Sequence, residues 1–271
     1  MTSTADIDAE TGQTAIISVP RNLQNAQFSE GSPMRALYPD GYNCGDECLI
    51  NAINTEVTNE HKDLYPGVAD PGAQATLEAV SGTLGITVQA YVLVDMDGFA
   101  KLIDAMGGIR IKAGGWVPIS GDMVDEANGI HGMPLGWIPA GEQTLNGEQA
   151  LAFVRTRHAF ATSDLQRTKN QQKFLSALAH QVATPSTVLN PFKLYPTMGA
   201  GLDSLTVDKD MSLWDLASMF WAMKGVSGGD GTSMNMPISG STGGNLVWDK
   251  AKVKTLVDEL NNDQKVTVAG D

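Results

Sequence analysis

Apolar residues along this chain switch between two periods, and the switching narrows the possible folds more than any other feature. Gln13 to Val19 carries Ala15, Ile16, Ile17 and Val19 as an apolar run ended by Pro20, the pattern of a buried strand. Glu47 to about Glu60 has helical character, with Leu49, Ile50 and Ile53 on one side. Asp70-Pro71 opens a helix with an N-cap and a proline in the first turn. Leu77, Val80 and Leu84 form its stripe and Gly85 closes it. Ile86 to Val94 then alternates as a strand, Phe99, Leu102, Ile103 and Met106 recur at helical spacing, and Ile109 to Ile111 reads again as strand. Strand, helix and strand in succession predict an α/β sandwich.

Residues 113–140, rich in Gly and Pro with two Trp, read as a long binding or mobile loop. Asn146 with Gln149 can cap a short helix running to Phe153, and Ser163 with Gln166 forms a second capping box for a long helix through about Val182. Ser212 starts a helix over Leu213, Leu216, Phe220 and Met223. Gly225 to Gly244 is a Gly/Ser-rich loop with a short strand at Met234 to Pro237, and Asp249 caps a last helix with Leu256, Val257 and Leu260 inward. There is no internal repeat and no linker, so residues 1–184 are expected to form a core that residues 185–262 complete, with 263–271 as a tail. No apolar run of membrane-spanning length and no export signal occurs in the sequence as it stands.

The formal charge of -13 disfavours nonspecific binding to nucleic acid, which needs surplus cations. Residues 1–150 hold 6 Lys+Arg against 20 Asp+Glu, and residues 151–271 hold 12 against 11. Within the second part, Arg155, Arg157, Arg167, Lys169 and Lys173 face one acid, Asp164, which makes this stretch an anion-site candidate. On a helical wheel with Asp164 at zero, Arg167 falls near -60°, Gln171 near -20°, and Leu175 and Leu178 within about 40° of zero. The stripe that buries the second half of the helix is therefore polar in its first two turns, and burying those groups without a partner is costly.

A phosphate fits that face, because a helix start offers unpaired N–H groups and guanidinium presents a fixed fork of donors. Arg155, Arg157 and Arg167 could together embrace a pyrophosphate; a solvated charged face with one Asp–Arg surface pair is the plainer alternative. Cys44 and Cys48 leave three readings open, namely a short disulfide with Cys44 in the turn before a helix, two inert thiols, or a zinc site completed by His61 and a carboxylate. Gly225-Val-Ser227-Gly-Gly229 satisfies G-x-S-x-G without the strand-then-helix context that a nucleophile elbow needs. Asp95-Met-Asp97-Gly98 begins like a calcium loop but lacks the later ligands and sits at a helix start, where it reads as a cap.

Arg155-x-Arg157, Asp164-x-x-Arg167 and Gln171-Gln172 resemble the signature of the LytR-CpsA-Psr proteins, which attach glycopolymers to the bacterial cell wall. Ser18-Val-Pro-Arg21 resembles that family's strand-end arginine motif. Tyr91 to Ile109 resembles its strand-helix-strand module, Gly141 to Arg157 its lead into the arginines, and Cys-Gly-Asp-Glu-Cys its actinobacterial branch. The likeness spans roughly residues 5 to 260.

The resemblance implies a three-layer α/β/α sandwich around a mixed sheet, and transfer of a phosphoglycosyl polymer from a polyprenyl pyrophosphate carrier to a peptidoglycan hydroxyl. Arg21, Arg155, Arg157 and Arg167 would bind the pyrophosphate, Gln171 would help hold it, and Asp164 would orient the arginines or contact a metal. The implied place is the extracytoplasmic face of the membrane, reached through the lipid substrate and an N-terminal anchor. Three features depart from the family pattern. Leu49 and Asn170 stand where a lysine and an arginine are usual, and the first strand with the acidic motifs that supply Mg²⁺ ligands should precede Met1. A noncatalytic carrier- or glycopolymer-binding module and an envelope-linked transcriptional attenuator are the alternatives. The acidic charge and lack of a helix-turn-helix speak against the last.

Overall fold

The computed structural model describes residues 2–7, 14–45, 47–119, 123–125, 130–131, 133–156, 163–182, 205–207, 232–262 and 266–268. The chain divides into two compact units, one of residues 1–91, 207–211 and 231–271, the other of residues 92–206 and 212–230.

In the first unit, β2 (Thr14–Val19) lies between β1 (Thr2–Ile7), antiparallel to it, and β12 (Thr232–Asn235), parallel to it. Ala15, Ile16, Ile17 and Val19 are all buried, as a central strand covered on both faces requires. A second sheet joins β3 (Leu23–Gln24) in parallel with β14 (Asn245–Trp248), which pairs antiparallel with β13 (Ile238–Thr242). Short α1 (Pro33–Leu37), α2 (Ile53–Glu60), a 3₁₀ turn at Lys62–Leu64, α3 (Pro71–Leu84) and α7 (Lys250–Asn261) complete the unit. Ile17, Leu23, Tyr42, Ile53, Ala79 and Leu256 belong to its core.

The predicted boundaries of α3 hold. The Asp70 carboxylate accepts the Ala73 N–H at 2.9 Å, and Gly85 ends the helix in the left-handed region at φ 73°. Asp249 likewise caps α7 by accepting the Lys252 N–H, and Leu256 and Val257 are buried. Val266 and Val268, in the expected tail, pack on this core. The expected helix from Glu47 begins only at Ile53, because Leu49 forms a bridge to Gln24. Cys44 and Cys48 are joined in a disulfide with Cα atoms 5.2 Å apart, and Cys48 is buried.

Tyr38 and Tyr42 both donate to the Glu56 carboxylate, Tyr38 at 2.7 Å, and His61 Nε2 stands 3.6 Å from it. Burial first, then the bonded carboxylate, pushes the Tyr38 phenol up to about 12 and the Tyr42 phenol higher still. An unfolded tyrosine ionises near pH 10, so these two contribute stability that is fully present below about 10 and is lost as the pH rises through 12. Tyrosinate absorbance and circular dichroism recorded together against pH should show ionisation of these side chains only as the first unit unfolds. Titration of all five tyrosines near pH 10 in the folded protein would contradict this.

In the second unit, β5 (Ile109–Ala113) pairs antiparallel with β10 (Gly141–Leu145), and α4 (Met96–Ala105), α5 (Gly147–Arg155) and α6 (Ser163–Val182) pack around them. β5 alternates buried and exposed residues, with Ile109 and Ile111 inside. Its other edge is met by the Gln181 side chain, which accepts the Arg110 N–H and donates to Gly108 O at 2.6 Å. Ile103, Leu145, Ala150, Phe153, Phe174 and Leu178 belong to the core of this unit. Asp95 caps α4 by accepting the Gly98 N–H at 2.7 Å, as its sequence context predicts.

Of the expected strand at Ile86 to Val94 only β4 (Val92–Val94) forms. The loop expected at 113–140 instead contains β6 (Val117–Ile119) paired with β9 (Gly136–Ile138), and β7 (Met123–Asp125) paired with β8 (Ile130–His131). β11 (Leu205–Val207) is a further short strand. Ser163 is the first residue of α6 rather than its cap. The strand predicted at Met234 to Pro237 lies two residues earlier, at Thr232–Asn235. The helix predicted from Ser212 and the segment Gly225 to Gly229 lie outside the described residues.

Candidate functional site

Helix α5 delivers one predicted arginine, and both its ends are fixed by side chains. At the start, Asn146 Oδ1 accepts the Gln149 N–H at 2.9 Å and Gln149 Oε1 accepts the Asn146 N–H at 3.1 Å, the predicted capping box. The Gly147 N–H donates to Asp104 Oδ1 at 2.7 Å, tying α5 to α4. At that contact a Cβ on Gly147 would lie 2.1 Å from the Ala100 carbonyl oxygen, so only glycine fits.

At the other end the last carbonyls of a helix have no intrahelical donor. Here Asn170, 1% exposed, donates through Nδ2 to Phe153 O at 3.2 Å, and Gln171 donates through Nε2 to Val154 O at 3.1 Å. The Thr156 N–H donates to Ala152 O at 3.0 Å, and its buried hydroxyl donates to Pro118 O at 3.2 Å. The residue between these fastened positions, Arg155, is exposed in the last turn of α5.

The predicted residues are thus placed unevenly. Arg157 lies outside the described residues. Asp164 and Arg167 fall in the first two turns of α6, Arg167 one turn ahead of Gln171. Arg21 belongs to the first unit, exposed in the turn that follows β2. Gln171, expected to help hold pyrophosphate, directs its amide nitrogen to a backbone carbonyl. Lys173, counted with the cationic stretch, lines a groove of about 470 Å³ with Arg110, Lys112 and Gly114. Asn170 and Thr156 were not expected in the site; the adjoining amides at 170 and 171, set beside an apolar stripe, are the sequence signal for them. Among the described residues no group of three His, Cys, Asp or Glu side chains could hold a metal ion, so they offer Mg²⁺ no carboxylate cluster.

These features define an α/β protein that presents a guanidinium at a firmly held helix end. Residues 4–265 match the model of the LytR_cpsA_psr family, and the chain belongs to that family. It is 34% identical over 188 residues to the cell wall biosynthesis protein LcpA of Corynebacterium glutamicum, covering 69% of this chain and 33% of that protein. It is 29% identical to the polyisoprenyl-teichoic acid–peptidoglycan teichoic acid transferase TagV of Bacillus subtilis, covering 62% of this chain and 42% of that protein. The chain therefore spans less than half the length of these curated relatives. The crystal structure of B. subtilis TagV superposes with TM-score 0.63 at 21% identity, covering 96% of this chain and 88% of that one. The LytR-Csp2A-Psr enzyme of Actinomyces oris superposes with TM-score 0.60 at 21% identity, covering 95% and 84%. The fold is the α/β fold of these solved proteins.

Proposed function

We propose that this chain transfers a phosphoglycosyl polymer from a polyprenyl pyrophosphate carrier to a hydroxyl of peptidoglycan. The observation that carries the reading is Arg155, exposed at an α5 terminus fastened by side chains from α6, within the motif that the family resemblance singles out. In this reading Arg155, Arg157 and Arg167 bind and neutralise the pyrophosphate. The acceptor oxygen forms a bond to the phosphorus bearing the sugar, the bridging P–O bond breaks, and the carrier departs as polyprenyl monophosphate while the hydroxyl proton passes to solvent. Charge accumulates on the departing phosphate oxygens, and fixed guanidinium groups stabilise it there. Asp164 orients the arginines. The Cys44–Cys48 disulfide supports action in an oxidising compartment outside the cytoplasm, where a carrier-linked polymer meets the wall. Among the described residues no helix is long and apolar enough to cross a membrane.

The test supplies the purified chain with a polyprenyl-pyrophosphate-linked oligosaccharide and peptidoglycan glycan, and reads products by mass spectrometry. The expected result is a glycan adduct together with polyprenyl monophosphate. Retention of the carrier without transfer would make the chain a carrier-binding module, and no affinity for such lipids would remove both readings.

A further inference from the structure

We propose that the groove between β5 and α6 is a second anion site, which seats a glycan polymer by its phosphate or carboxylate groups. The proposal deepens the transfer reading and rests on it for the kind of polymer; the cavity and its cations stand without it. Arg110, Lys112 and Lys173 line the groove, which measures about 470 Å³ and lies wholly within the second unit. Arg110 and Lys112 are two apart on β5, so both leave the strand by its exposed face, about 7 Å from one another. Lys173 comes from α6, and its ammonium rests close to the end of the strand, where a Cβ on Gly114 would lie 3.3 Å from Nζ. Gly114, Gly141 and Ala177 keep the space between the cations open. The strand that carries two of them is rigid, because Gln181 ties its edge to α6 through Gly108 O and the Arg110 N–H.

The charge is unusual for this chain. With 31 acids against 18 Lys and Arg in the sequence, no Asp or Glu is among the residues that line the groove. Glu142 stands at its rim, opposite Lys112 in the β5–β10 ladder and 3.6 Å from Arg110. Both members of that ion pair are exposed, so water screens it and an incoming anion displaces it at little cost. Three cations spread along a groove suit the repeated charges of a polymer better than one small ion. Along α6, Lys173 lies about 9 Å beyond Arg167, so a chain of sugars extending from a phosphate held at the helix start has the groove within its reach.

The experiment measures binding by titration calorimetry at low salt with three carrier-free probes. These are a phosphodiester-linked sugar oligomer, a peptidoglycan glycan oligomer whose anions are carboxylates, and a neutral glucan of similar length. An anionic probe should bind and the glucan should not; which anion binds tells whether the groove serves the donor polymer or the acceptor. Lys112→Gln and Lys173→Gln should each weaken that binding about two- to fivefold and the pair about tenfold, with the same losses in an Arg155→Ala background. Glu142→Gln should tighten it about twofold, a gain that misfolding cannot imitate. Lys101→Gln removes the same charge from an exposed position on α4 and should change the affinity little. Equal binding of the glucan, no binding of either anionic probe, or equal losses in Lys101→Gln and Lys173→Gln would overturn the proposal. So would losses that vanish in the Arg155→Ala background, which would place the anion at the end of α5. The expected pattern of binding in a chain that transfers nothing would keep the groove and bring down the proposed reaction instead.

Discussion

Arg155→Ala is expected to lower transfer from a polyprenyl pyrophosphate donor by about 10²- to 10³-fold while leaving the unfolding midpoint unchanged, the loss typical when one fixed donor to developing charge is removed. The side chain is exposed, so its removal opens no cavity. The backbone at this point is held by the Asn170, Gln171 and Thr156 bonds, none of which involves the guanidinium. Arg155→Lys should restore only part of the rate, because an ammonium cannot present two parallel donors to a phosphate. Kinetics with mass-spectrometric detection, run beside urea unfolding, decides the matter. A variant that transfers as well as the wild type would remove Arg155 from the chemistry, and one that is unfolded would mean the residue is structural.

Gly147→Ala is expected to destabilise the second unit by about 3 kcal/mol, at the upper end of the usual cost of overpacking. In an exposed helix the same change would stabilise by roughly 1 kcal/mol. Here the added methyl would meet three backbone atoms of Ala100 at 2.1, 2.6 and 2.7 Å, none of which can swing aside as a side-chain tip can. Either α4 or the first turn of α5 must move, and the Gly147 N–H bond to Asp104 would lengthen with it. Glu148→Ala, one residue on and exposed, is the control and should be nearly neutral. Denaturant unfolding followed by hydrogen exchange in α5 would check this; a Gly147→Ala protein as stable as the wild type would show that the two helices have room to part.

How far the sequence could be read depended on whether a residue's partner lies nearby in the chain. Asp70, Asp95, Asn146 and Asp249 cap helices through donors three residues on, and all four were legible from spacing. The apolar run of β2 was legible because a strand covered on both faces is mostly apolar, and the buried Ser18 interrupts it at a single position. The alternation after Gly85 misled, since Ile86 and Val88 do pack against the core, yet the Val88 N–H goes to Ser81 Oγ rather than to a ladder. Alternation reports burial, and a strand also needs a neighbour. The three-residue strands β6 and β9 are too short to show a period among so many glycines and prolines. The arginine motif was legible as chemistry, but whether the amide of Gln171 meets a ligand or a helix end depends on α5, seventeen residues back.

The cystine also governs how the chain acquires its structure. With two thiols in the whole sequence there is one possible intramolecular pairing, so no isomerase has to unscramble wrong bonds. A ring closed over a separation of four residues can form while most of the polypeptide is still unstructured, and it removes about 2 kcal/mol of chain freedom from the unfolded ensemble. What remains for an oxidant to avoid is crosslinking between molecules, a hazard that grows with protein concentration and that early ring closure forestalls.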